Sequence, residues 1–156
     1  QNTYMRASLI EIDNETDSVI DLTAIADLAA HHLDSLRIHE QAAMSITFID
    51  TERMTTLHED WMQEPGATDV LSFPIDEITL PAEGEISESG FLGDIVICPA
   101  FLPPQLVESG RTLQHECEYL VTHGILHLLG LDHQEEEEHL VMFTLSDELL
   151  QDWRTP

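Results

Sequence analysis

The stretch His123-Gly124-Ile125-Leu126-His127-Leu128-Leu129-Gly130-Leu131-Asp132-His133 constrains this chain more than any other. Residues i and i+4 share one face of a helix, so His123 and His127 project side by side if the segment is helical. Gly130 tolerates φ > 0, stops that helix and turns the chain back, which returns His133 toward the open side of the pair. Three imidazoles converging from a helix and its following turn suit a tetrahedral zinc ion, one per chain, with one position left for water. Each histidine alone reads as an ordinary helix or loop residue. Two spaced by four, a glycine three later and a third histidine three beyond read as a metal site. Neutral ligands leave the ion its full charge, which acidifies water and polarises a phosphoryl or carbonyl oxygen, so the expected role is catalytic rather than structural. The other six histidines, His31, His32, His39, His58, His115 and His139, show no such spacing and read as surface or helix residues.

The flanking pattern predicts where this segment sits. A long helix over Thr112–Leu129 ends at Gly130. Arg6–Ile12 and Met44–Ile49 read as strands. Between them Leu22–Arg37 has its apolar residues on a helical period, with Asp21 as N-cap. That order suggests a strand–helix–strand crossover. Thr51–Met62 reads as a second helix stopped by Pro65-Gly66, Asp69–Phe73 as a strand, and the acidic segment Ile75–Ser89 as an exposed loop. Phe91–Cys98 reads as a strand in which Gly93 marks a bulge or a close approach. A short helix over Phe101–Glu108 and a last one over Glu135–Trp153, acidic in its first turn, complete the pattern. The expectation is a single α/β (α+β) domain over residues 1–156, with a mixed sheet of about four strands flanked by about five helices.

At 156 residues and 42% apolar composition the chain suits one domain with a real core. No apolar run approaches the roughly 20 residues of a membrane-spanning helix, and the start lacks a secretory signal. A cytoplasmic protein with no membrane partner is expected. Gln1 is not an initiating residue, so residues 1–5 are expected to be disordered or foreign to the natural chain. Cys98 and Cys117 match no metal or redox spacing and read as small buried apolar residues. The formal charge is −26, from 31 acidic residues against five arginines and no lysine. Five arginines cannot build a large basic patch, so composition alone does not point to a nucleic-acid binder.

The spacing H-x-x-x-H-x-x-G-x-x-H is also that of metzincin proteases, whose general base is a glutamate directly after the first histidine. Here that position is Gly124. The variant H-G-x-L-H-L-x-G-x-D-H instead resembles the YbeY family of ribosomal-RNA maturation factors. Thr68-Asp69-Val70-Leu71-Ser72-Phe73-Pro74 is similar to that family's T-[DN]-V-L-S-F-P stretch, and Leu92-Gly93-Asp94-Ile95-Val96-Ile97 to its L-G-D-[IL]-V-I strand. All three occur in family order, covering about Ser45 to Asp147.

The resemblance implies a zinc ion held by His123, His127 and His133 in a cytoplasmic, metal-dependent endoribonuclease. It implies single-stranded RNA as substrate, a role in processing ribosomal-RNA precursors, and the ribosome or its small-subunit proteins as partners. Many members carry an arginine shortly before the T-[DN]-V-L-S-F-P stretch, and the matching position here is Met62, following Trp61. Arg111, at the start of the histidine helix, is the best remaining cation. The general base is not evident. Glu116 lies on the face of His123 but two turns away, and Asp132 adjoins a ligand that it would orient, or caps the turn. Asp94 has a similar reading. Two other classes stay open: a protease-like zinc hydrolase, and a non-enzymatic ribosome-assembly factor with structural zinc.

Overall fold

The protein is described by a computed structural model that covers residues 6, 8–62, 68–102, 108, 110–131 and 136–155. Strand β1 (Ile10–Asn14) leads into helix α1 (Leu22–Ser35), followed by β2 (Ala43–Phe48), α2 (Thr51–Met62), β3 (Val70–Pro74) and β4 (Phe91–Ile97). A 3₁₀ turn (Pro99–Phe101) precedes the long helices α3 (Leu113–Leu128) and α4 (Glu136–Arg154). The strands form one sheet in the order β1-β2-β4-β3. β1 and β2 are parallel, as are β2 and β4, while β3 runs antiparallel at the edge. The expected crossover is therefore present, in an α+β domain with a four-stranded mixed sheet. Four α-helices occur among the described residues, against the five expected. Most of the short helix expected over Phe101–Glu108 lies outside them, as does Pro65-Gly66.

The sheet is two-faced because β2 alternates. Met44, Ile46 and Phe48 are buried in the main core with Leu92, Ile95 and Ile97 of β4. Ile25, Leu28, Ala29 and Leu33 of α1 cover that face, together with Leu120, Val121, Ile125 and Leu128 of α3. Helix α4 packs in turn on α3 and α1. On the opposite face a smaller cluster joins Met54 of α2 to Ile49, Leu71, Val96 and Cys98. Both cysteines are buried and free. No helix among the described residues is long and apolar enough to cross a membrane.

Helix ends follow their local chemistry. The Asp21 carboxylate accepts from Ala24 N at 3.0 Å and starts α1; the Thr112 hydroxyl accepts from His115 N at 3.1 Å and starts α3. β1 begins later than the apolar run suggests, at Ile10. Arg6 is drawn away to Asp34 and to the carbonyls of Ile38 and His39, and a turn closes from Leu9 N to Arg6 O at 2.9 Å. The Ile75–Ser89 segment is irregular, as expected, but not wholly exposed: Ile78 enters the main core and Ser87 is buried.

Gly93 makes both features its sequence context suggested. Between Ala43↔Phe91 and Ser45↔Asp94 the register slips by one residue, a β-bulge centred on Leu92-Gly93. Its φ is +145°, and a Cβ there would sit 2.2 Å from Phe73 O on the neighbouring strand. Only glycine permits this approach of β3 to β4.

Candidate metal centre

His123 and His127 lie one turn apart near the C-terminal end of α3, as their spacing requires. His123 is buried and His127 half-buried. The helix ends in a Schellman motif: Gly130, at φ +92°, donates to His127 O at 3.0 Å, and Leu131 donates to Leu126 O at 3.0 Å. Leu131 also packs on the buried cluster of Leu126, Met142 and Leu149, the apolar contact that accompanies this motif. The chain thus doubles back just before Asp132 and His133. Those two residues lie outside the described residues, as does the side chain of Met62.

The ring of His123 is held by three neighbours. Tyr119, one turn earlier, meets it edge-on at 4.2 Å between centroids. Phe143 of α4 lies at 4.7 Å and is itself stacked on His139 at 4.2 Å. Ser146 Oγ, fully buried, lies 3.3 Å from His123 Nδ1. With Nδ1 at a hydroxyl, the buried Nε2 is the nitrogen a metal would take. Two imidazoles side by side, one of them locked by its surroundings, fit two positions of a nitrogen-rich site. Among the described residues no third His, Cys, Asp or Glu joins them.

The other candidates fall into distinct places. Glu116 is buried, and its carboxylate accepts from Arg111 at 2.9 Å. Seven residues of helix rise put it about 10 Å from His123 along the axis. Arg111 also lies over the Tyr119 ring, 4.7 Å from its centroid, so one aromatic ring separates it from His123. Burial raises the pKa of the Tyr119 phenol, against the opposing pull of Arg111. Asp94 does not face the histidines. Ile95 meets Gly124 of α3, so its neighbour Asp94 projects from the opposite face, where it accepts from Ser45 Oγ. It lines a groove of about 660 Å³ there with Trp61 and Phe73.

Gly124 has a structural reason to lack a side chain. A Cβ at this position would lie 2.8 Å from Ile95 Cδ1, so the glycine lets α3 seat directly on β4. All five arginines are engaged. Arg6, Arg53, Arg111 and Arg154 pair with Asp34, Glu15, Glu116 and Glu118, and Arg37 donates to Glu85 O at 3.0 Å. The Cys117 thiol is pushed up to about 12 by burial and by Glu116 and Glu118, so it stays protonated and inert.

A family model described as Endoribonuclease YbeY matches residues 11–154, nearly the whole chain. The chain belongs to the endoribonuclease YbeY family. Endoribonuclease YbeY of Thermobifida fusca is 50% identical over 145 residues, covering 93% of this chain and 94% of that protein. Endoribonuclease YbeY of Cutibacterium acnes is 48% identical over the same length, with the same shares. The solution structure of TM1509 from Thermotoga maritima has a TM-score of 0.58 at 21% identity, covering 94% of this chain and 92% of that one. That likeness is one of fold, over nearly the whole of both chains.

Sequence spacing gave no sign of His32. It is fully buried on α1, and its Nε2 lies 3.0 Å from Thr122 Oγ1. That hydroxyl donates to Glu118 O at 2.8 Å, so His32 Nε2–H is the donor of the pair. The bond ties α1 to α3 one residue before His123. Burial, with His31 and Arg154 adding to it, lowers the His32 pKa from 6.5 to about 3. The unfolded chain therefore binds a proton below pH 6.5 that the folded chain refuses, and stability falls as pH drops from there toward 3. Between pH 7 and 5 the native protein is expected to lose about 2 kcal/mol through this group. Urea unfolding at both pH values checks it: His32→Gln should lack that share of the decline, and an equal decline in both chains would refute the assignment.

Proposed function

We propose that this protein is a zinc-dependent endoribonuclease that cleaves single-stranded RNA during ribosomal-RNA processing. The metal is assigned to His123, His127 and His133. The observation that carries the reading is the pair of imidazoles on α3, one ring locked at Nδ1, in a helix closed by the Schellman turn at Gly130. Membership of a family named for endoribonuclease activity supports RNA as the substrate class. When bound, zinc supplies Lewis acidity, lowering the pKa of water and polarising a phosphoryl oxygen. The protein's own groups orient the ligands and shape access. Tyr119 and Phe143 wall the His123 ring, while Arg111, braced by Glu116, offers a cation one ring away. Glu116 is assigned the bracing role rather than proton abstraction, and Asp132 the orientation of its neighbour His133.

Proteolysis does not suit this site. Position 124 carries no carboxylate and faces Ile95. RNA recognition must also work without a basic groove, since four arginines are already paired with carboxylates and the fifth with a carbonyl. Each phosphate contact on a single strand contributes about −0.7 to the log–log slope of affinity against salt. Few contacts and a −26 chain predict a flat slope, or one that rises at low ionic strength as salt screens repulsion. Productive engagement then draws on the metal and on a basic ribosomal partner in the cytoplasm. The test is RNA affinity across a salt series, with and without zinc. A steep fall equivalent to several phosphate contacts would overturn this account of binding.

A further inference from the structure

We propose that Ser146 is a positioning residue for the metal: its hydroxyl accepts the Nδ1 proton of His123 and thereby keeps the Nε2 lone pair available for ligation. The inference rests on the reading of His123 as a metal ligand. A neutral imidazole has one N–H and one lone pair, and a metal takes the lone pair. The nitrogen that carries the proton is decided by the partner at the other side of the ring. Here that partner comes from a different helix, 23 residues along the chain, with Oγ 3.3 Å from Nδ1.

Three observations favour positioning over mere packing. Ser146 is fully buried on the face of α4 that also buries Met142, Leu149 and Leu150. A hydroxyl placed among apolar side chains is costly unless its hydrogen bonding is used, and His123 uses it. Tyr119 and Phe143 bound the imidazole at 4.2 and 4.7 Å, so the ring has a fixed plane and the hydroxyl has one edge to address. A flip about that plane would turn Cδ2 toward Oγ and forfeit the bond. The opposite tautomer would place a proton on Nε2, closing it to a metal. Ser146 opposes the flip before any metal arrives, and its oxygen accepts from Nδ1 in the tautomer that leaves Nε2 to the metal.

The experiment is a zinc titration of the full chain against a competing chromophoric chelator, for the native protein, Ser146→Ala, Ser146→Thr and His123→Ala. Ser146→Ala is expected to bind zinc about 10- to 100-fold more weakly while keeping its native circular dichroism, and Ser146→Thr, which retains the hydroxyl, to recover most of the loss. Long-range ¹⁵N–¹H correlation of the metal-free native protein, recorded well above the ordinary imidazole pKa, should show His123 as the Nδ1–H tautomer. That measurement needs no variant, and an Nε2–H tautomer in it would overturn the proposal. So would native zinc affinity in Ser146→Ala. If His123→Ala loses zinc while Ser146→Ala does not, only the positioning role fails. If His123→Ala binds zinc as the native protein does, the ligand assignment fails and takes this role with it.

Discussion

Replacing His127 by alanine is expected to lower RNA cleavage at least about 10³-fold, equivalent to about 4 kcal/mol of transition-state stabilisation. The size follows from what the residue does. His127 is one of two imidazoles that α3 projects a turn apart, and two remaining nitrogen ligands rarely hold zinc against dialysis. The variant should fold normally, because His127 is half-buried rather than part of the core. His115, in the first turn of the same helix, is the control: its alanine variant should cleave RNA within about twofold of the native rate, as surface substitutions away from a site usually do. The measurement is single-turnover cleavage of a single-stranded RNA after dialysis. Native-like rates in His127→Ala would remove this residue from the site.

Substitution of Gly124 should act on folding first. Alanine there puts Cβ 2.8 Å from Ile95 Cδ1, and overpacking of this kind costs about 1–3 kcal/mol. Glutamate adds a carboxylate in the dry contact between α3 and β4, where an unpaired charge costs several kcal/mol. Against a typical stability of about 5–15 kcal/mol, Gly124→Glu is expected to lose at least about 10 °C in Tm or to be recovered unfolded. Neither variant should digest casein, because position 124 faces the sheet. Thermal unfolding with a casein assay checks both parts. A stable Gly124→Glu that gains chelator-sensitive proteolysis would show that the residue faces the metal instead.

The sequence made local features legible and left contacts between distant segments hidden. Helix α3 could be bounded closely because Thr112 and Gly130 act within one turn of its ends. The parallel β1–α1–β2 unit followed from periodicity, and the bulge at Gly93 from a glycine inside a strand. The surroundings of His123 were invisible. Phe143 and Ser146 reach it from another helix, and no spacing rule links positions 123 and 146. The burial of His32 depends likewise on Thr122, 90 residues away. Charge was read correctly in sum but not in arrangement. Each arginine's partner is set by tertiary packing, as Arg6 with Asp34 and Arg154 with Glu118 illustrate. That pairing is what turns a shortage of cations into the absence of a basic groove among the described residues.

Metal content of the purified protein tests the central claim most directly. Elemental analysis after exhaustive dialysis should find about one zinc per chain in the native protein and none retained by His127→Ala or His133→Ala. A native protein without stoichiometric metal, or a His133→Ala variant that keeps it, would contradict the three-histidine centre on which the proposed chemistry depends.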